Sequence, residues 1–242
     1  MAHRSQSDLR APEHGRSALA HPWVVSATDL VFLWDDCPRC FYRKVALGRS
    51  RPAGAFPSVF GRIDRAMKQA LQGHRVEQLL AGAPPGVITE PDRWVRSAPL
   101  RAPGVTRPLV IRGRLDALVA CDDGTMAMVD FKTTGPDIAN QDLYSRQLHA
   151  YATTLEHPGA GDAVTVSALG LGCFTPITFH IAAGEGSLRG EARWVEVPLE
   201  RVGFAEFLTE VVGLLGAEAP PPPAPGCGWC RYRGAGTHAA VA

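Results

Sequence analysis

The sequence predicts a mixed α/β domain, and three observations carry that reading. The 242-residue chain is 45% hydrophobic and 20% charged, a balance that gives one domain of this size an ordinary buried core. Stretches with helical apolar spacing alternate along it with short β-rich runs. Two of those runs flank Asp122-Asp123-Gly124, a turn signal that joins them as a β-hairpin with glycine at the left-handed position. The resulting order is helix, strands, helix, strand.

Residues 1–22 lack apolar periodicity and read as a disordered tail. The domain is expected over 23–233, with 234–242 as a second tail. Ser26-Ala-Thr-Asp29 has the form of a capping box, with Asp in place of Glu or Gln, and predicts a short helix running into Cys37. A second helix is expected from near Pro57 to before Gly82, because Val59, Phe60, Ile63, Met67, Ala70 and Leu71 recur on one helical face. Residues 84–108 are rich in Pro, Gly and Arg and show a single strand signal at Trp94 and Val95. The runs 109–121 and 125–133 make the hairpin. Gln141–Glu156 reads as a helix with Tyr144, Leu148, Tyr151 and Leu155 in one stripe. A β-rich run over 163–175, a further hairpin within 177–197 and a helix over 201–215 follow. Pro220 to Pro223 and Pro225 then form a stiff strap that delivers the last two ligating cysteines.

Twenty-five Lys+Arg against 24 Asp+Glu leave a net charge of +1, so any nucleic-acid footprint must be a local patch. No apolar run approaches the ~18 residues of a membrane span, and the first residues lack a signal-peptide core. A cytoplasmic location without membrane contact is expected. Six cysteines are too few for a disulfide scaffold, and Cys37/Cys40 and Cys227/Cys230 stand at metal-ligand spacing. Cys121 and Cys173, each alone in an apolar stretch, read as core thiols.

The hairpin carries the chemistry. With a three-residue loop Cys121 pairs with Thr125, and Asp116 falls opposite Asp130 on the same face. A two-residue loop would break this pairing. Opposed Cβ atoms lie ~5 Å apart, so two carboxylates there destabilise the sheet unless a positive charge sits between them. A divalent cation meets that need, and oxygen ligands of this kind select Mg²⁺ or Mn²⁺. Strand alternation puts Lys132 on the Asp130 face. Only three of the 25 basic residues are lysines, so a lysine here marks a place where arginine will not serve. A compact ammonium can orient or deprotonate a metal-bound water.

Gln147 and Tyr151 are one helical turn apart, and a helix crossing the sheet can aim both at one ligand. Asp64 is a candidate third metal ligand, and its alternative is a surface ion pair with Lys68 four residues on. Between Cys37 and Ile63 lie Arg39, Arg43, Lys44, Arg49, Arg51 and Arg62 with no acidic residue. That is either a phosphate track, with Phe41 or Tyr42 stacking on an unpaired base, or a solvated face.

Gly113-Arg-Leu-Asp116, Val129-Asp-Phe-Lys132-Thr and Gln147-Leu-His-Ala-Tyr151 together resemble the PD-(D/E)XK nuclease superfamily. The resemblance is to its RecB-like branch, which includes the four-cysteine exonucleases associated with CRISPR adaptation. Ser26-Ala-Thr-Asp-Leu30, Cys37-Pro-Arg-Cys40-Phe-Tyr and the C-terminal cysteines are also similar to that branch. The resemblance implies a restriction-endonuclease-like αβββαβ core with a central mixed sheet flanked by helices. It assigns metal binding to Asp116, Asp130 and the carbonyl of Phe131, water activation or charge stabilisation to Lys132, and substrate positioning to Gln147 and Tyr151. The implied activity is divalent-metal-dependent hydrolysis of DNA, exonucleolytic rather than endonucleolytic. Single strands or duplex ends are the implied substrates, in repair, recombination or defence, with protein partners of such a complex.

Two departures stand out. The branch usually has His where this chain reads Phe60-Gly-Arg-Ile-Asp64, and it commonly uses one N-terminal and three C-terminal cysteines where this chain has two pairs. Four thiolates at this spacing fit a [4Fe-4S] cluster, towards which the resemblance leans, or a tetrahedral Zn²⁺. In either case the site staples the C-terminal segment to the N-terminal one. The competing function is a catalytically inactive nuclease-fold module that binds nucleic acid or serves a structural role.

Overall fold

Two β-sheets divide the strands between them. The computed structural model describes residues 21–52, 54, 58–89, 91–103, 105–133 and 141–238. The chain opens with β1 (Trp23–Ser26), a π-helical turn (Asp29–Leu33) that runs into α1 (Trp34–Asp36), and α2 (Pro38–Val45). Then come α3 (Ser58–Leu71), α4 (Val76–Leu79), β2 (Gly86–Ile88), β3 (Trp94–Arg96), β4 (Leu109–Arg114), β5 (Ala117–Cys121) and β6 (Met126–Thr133). The second half holds α5 (Gln141–Glu156), β7 (Val166–Ala182), β8 (Glu185–Val197), α6 (Arg201–Leu215) and α7 (Gly228–His238). The larger sheet has the order β2-β5-β6-β7-β8 and the smaller β1-β4-β3. β5 and β6 pair antiparallel, whereas β6 and β7 pair parallel and need α5 as their crossover. This is the mixed α/β architecture expected of the sequence.

The hairpin takes the predicted register. Ala117 pairs with Val129 and Leu118 with Met128, and the Cys121 N–H donates to the Thr125 carbonyl at 2.9 Å. Gly124 holds φ 84°, the left-handed conformation that closes a three-residue loop without Cβ strain. The run 109–121, expected as one strand, is split: β4 belongs to the small sheet and β5 to the large one. The chain steps between them at Leu115 and Asp116. Leu115 is fully buried, and its N–H donates to the Arg93 carbonyl at 3.0 Å while the Asp92 N–H donates to the Asp116 carbonyl at 2.9 Å. Asp116 therefore sits at the seam of the two sheets.

The main core fills the space between the sheets, α5 and α6, with Ile111, Leu118, Met128, Leu148, Tyr151, Leu169 and Val211 at its centre. The stripe predicted for α5 faces it. A second cluster under α4 joins Val76, Leu80, Ile88, Val119, Val129 and Trp194. The face predicted for α3 is only partly the packed one. Met67 and Leu71 meet the second cluster, but Val59 and Phe60 are exposed and the buried residue is Lys68. The reason is that α3 lies against the carboxylate-bearing seam, so a charged stripe finds partners there that apolar side chains would not.

The helix read as ending before Gly82 breaks after Leu71 and resumes as α4, and the strand at Trp94 and Val95 is present as β3. The capping serine donates no cap to a regular helix. Ser26 Oγ accepts the Asp29 N–H at 3.1 Å at the head of the π-helical turn. α7 passes Gly234 into the segment read as a tail, while residues 1–20, 239–242 and Pro57 lie outside the described residues. No helix among the described residues is long and apolar enough to cross a membrane.

Candidate active site

Asp130 leaves β6 towards the seam and is 2% exposed. Its Oδ2 touches the Lys132 ammonium. Burial pushes the carboxyl up to about 7, with the charge of Asp116 adding to the shift and Lys132 opposing it. Burial works against the charge of Lys132, but Asp130, with Asp116 and Tyr144 adding to it, raises its pKa and keeps it protonated. The ammonium also lies 4.5 Å from the centre of the Tyr144 ring, a cation–π contact that fixes its position.

Asp116 is engaged at both oxygens. Oδ2 accepts the Phe131 N–H at 2.8 Å, and Oδ1 accepts Lys68 at 2.7 Å. Lys68 Nζ also donates to Asp92 Oδ1 at 2.9 Å and pairs with Asp64 Oδ2 at 2.9 Å. Its side chain is 4% exposed. Burial opposes its charge, but Asp116 first, then Asp92 and Asp64, hold it protonated well above the ordinary lysine range. Between the carboxylates, where the hairpin pattern calls for a divalent cation, two lysines also supply positive charge, Lys68 at Asp116 and Lys132 at Asp130.

Asp64 faces Lys68, with Lys68 buried at the seam and Asp64 itself partly exposed. Lys68 and Asp92 were missed as site residues. The i,i+4 spacing from Asp64 was the available signal for the first. Asp92 has φ 59°, a conformation rare outside glycine, and its carboxylate meets Lys68 from a stretch in which sequence periodicity showed nothing.

α5 brings Gln147 and Tyr151 beneath the seam. The Tyr151 hydroxyl donates to the Arg114 carbonyl at 3.0 Å, and a Cβ at Gly113 would lie 2.7 Å from the Tyr151 ring, so the glycine of the first motif admits this side chain. Gln147 Oε1 is buried without a hydrogen-bond partner. The buried Gln147 oxygen without a donor, beside the hard carboxylate oxygens of Asp130 and Asp116, completes a donor set that suits a divalent cation. The centre opens to solvent along Asp64, Asp92 and Lys132, each about a quarter to a third exposed.

The basic track of α2 is less available than its sequence implies. Lys44 pairs with Asp29 at 2.7 Å, and Arg51 pairs with Asp36. Arg39 and Arg43 are half-buried and Arg49 is exposed. Phe41 and Tyr42 are buried, with the Tyr42 hydroxyl donating to the Ala217 carbonyl at 3.0 Å, so neither ring is open for base stacking.

The four cysteines do converge. Cys37 and Cys230 sulfurs lie 3.9 Å apart, Cys40 and Cys227 3.7 Å, and Cys40 and Cys230 3.5 Å, with all four within 4.8 Å of one another. Burial opposes ionisation of Cys37, but backbone hydrogen bonds at Ala224 and Cys40 bring it down to about 7, whereas burial pushes Cys40 and Cys230 up. Thiols this crowded ionise together only around a cation. Arg51, against Cys40, adds positive charge, and its Nε and Nη2 have no hydrogen-bond partner. Cys173 is buried in the core as expected, and Cys121 is half-buried.

The family model of the PD-(D/E)XK nuclease superfamily matches residues 65–235, well over half of the chain. No curated protein matches. Among solved structures, the crystal structure of SSO0001 is similar at 17% identity, over 86% of this chain and 81% of that one, with a TM-score of 0.48.

Proposed function

We propose that this chain, which belongs to the PD-(D/E)XK nuclease superfamily, hydrolyses phosphodiester bonds of DNA with the help of a divalent metal ion. The observation that carries the reading is the buried carboxylate of Asp130, set beside Asp116 and in contact with the Lys132 ammonium. Asp116, Asp130 and the carbonyl of Phe131 would hold Mg²⁺ or Mn²⁺, which supplies Lewis acidity and a water of lowered pKa. Lys132, steadied by Asp130 and Tyr144, holds positive charge where a phosphoryl oxygen gains negative charge. Tyr151 and Gln147 orient the seam from below. The motif set favours the RecB-like branch and exonucleolytic action on DNA ends in repair, recombination or defence.

The spacing of the cysteine sulfurs supports one tetrahedral ion over a cubane. Metal–sulfur bonds of ~2.3 Å put the sulfurs of a tetrahedral zinc site about 3.8 Å apart, close to the 3.5 to 3.9 Å of three sulfur pairs, with all four inside 4.8 Å. A [4Fe-4S] cluster sets four irons and four sulfides inside the same thiolates and spreads them much further. Zinc at Cys37, Cys40, Cys227 and Cys230 is therefore the proposed structural metal.

A second reading, an inactive module, draws on the engagement of both Asp116 oxygens by Lys68 and Phe131. Cleavage of labelled single- and double-stranded DNA with and without Mg²⁺ or Mn²⁺ separates the two. Metal-dependent cleavage that Asp130→Asn abolishes supports the enzyme. Intact binding with no cleavage in any metal supports the module.

A further inference from the structure

The outer face of β3 and β4 carries an exposed tryptophan in a row of arginines at the rim of the carboxylate centre. The two strands pair antiparallel with Trp94 opposite Arg114 and Arg96 opposite Arg112, and directly opposed residues project to the same side of a sheet. The inward residues Val95 and Ile111 are buried, so the two faces divide sharply. Trp94 is 72% exposed, and among the described residues its ring has no aromatic or cationic partner. Arg96 and Arg112 are exposed and make no ion pair among the described residues. Arg114 reaches Asp92 at 3.5 Å, and that same carboxylate holds Lys68 at 2.9 Å. One end of the row thus adjoins the proposed cleavage centre.

A free indole face beside uncommitted guanidinium groups matches one chemistry closely. The ring offers a stacking surface to an unpaired base, and the arginines offer bidentate contacts to the phosphates on either side of it. A duplex keeps its bases stacked on each other and offers no free base to stack on such a face. The α2 track lacks this combination, because its aromatics are buried and two of its cations are paired. We propose that the outer face of β3 and β4, with Trp94 as stacking platform and Arg96, Arg112 and Arg114 as phosphate contacts, binds a single-stranded stretch of DNA and leads it to Asp116 and Asp130. The destination rests on the nuclease reading above, whereas the binding does not need it.

The test is therefore made without cleavage. Full-length protein in EDTA is titrated against a fluorescein-labelled oligothymidylate and against a labelled duplex of equal length. Trp94→Ala should weaken oligothymidylate binding about tenfold or more and leave duplex binding within twofold, and Trp94→Phe should recover most of the loss. The double variant Arg96→Ala/Arg112→Ala should flatten the dependence of log affinity on log salt by about 1.4 for a single strand. An exposed ring makes no core contact, so Trp94→Ala should keep the wild-type melting temperature. Wild-type affinity of Trp94→Ala for oligothymidylate, or an equal loss on both probes, overturns the proposal. Trp94-dependent binding in a protein that cleaves nothing in any metal would sink the nuclease reading and leave the track standing.

Discussion

Asp116 accepts the backbone N–H of Phe131 on Oδ2 at 2.8 Å, so the first carboxylate of the pair is clamped by the strand that carries the second. Its other oxygen binds Lys68. Repulsion between two facing carboxylates, taken by itself, predicts that Asp116→Ala and Asp130→Ala both keep the fold. The structure separates them. Asp116→Ala removes the shortest of the contacts to a buried ammonium and should cost about 2–4 kcal/mol, whereas Asp130→Asn breaks the contact with Lys132 but also relieves the repulsion with Asp116, so its loss in melting temperature should be the smaller of the two. Both variants should lose cleavage by a factor of about 10² or more. Thermal unfolding and a cleavage assay check this, and an Asp130→Asn variant that cuts at the wild-type rate would remove Asp130 from the metal site.

Lys68 acts as an internal counterion for Asp116, Asp92 and Asp64. Lys68→Ala should therefore lower the melting temperature in EDTA and make it unusually responsive to Mn²⁺, since three facing carboxylates without their ammonium gain most from a cation. The measurement is the Mn²⁺-induced rise in melting temperature, expected to be larger in the variant than in wild type. A loss of stability that Mn²⁺ does not restore would show that Lys68 is a packing residue only.

Lys132→Arg tests whether charge alone suffices at the second motif. The ammonium is seated between Asp130 and the Tyr144 ring, and the larger planar guanidinium cannot place its charge at the same point. DNA binding should persist while the cleavage rate falls on the order of 10²-fold. Cleavage at the wild-type rate would reduce Lys132 to a phosphate attractor.

Purified protein should be colourless and carry one zinc per chain, and Cys227→Ser/Cys230→Ser should release it and destabilise the fold. Elemental analysis and visible absorption decide the point. Brown protein with several irons per chain would overturn the zinc assignment.

His149 provides the pH dependence. Its Nδ1 lies 2.8 Å from the Ser145 carbonyl and its Nε2 accepts the Glu200 N–H at 2.8 Å, an arrangement that requires the neutral ring. Burial lowers its pKa below the ordinary 6.5. The unfolded chain then binds more protons than the folded one once pH falls below 6.5, so stability present above that value is progressively lost on acidification. The melting temperature should drop between roughly pH 6.5 and 5, and His149→Gln should flatten that slope. An unchanged slope would assign the acid sensitivity to other groups.

The sequence by itself determined the hairpin register, the facing of Asp116 towards Asp130, the placement of Lys132 beside Asp130, the span of α5 and the pairing of the cysteines. Each follows from local geometry: a three-residue loop with Gly124 in the left-handed region sets every cross-strand pair, and helical spacing sets the buried stripe of α5. Tertiary structure alone decided the split of β4 from β5 at Leu115 and Asp116, the burial of Lys68, the entry of Asp92 and the exposure of Trp94. Lys68 is 24 residues from Asp92 and 48 from Asp116. A contact across that separation leaves no periodic trace, because the balance between desolvating an ammonium and surrounding it with carboxylates is struck only when three segments meet.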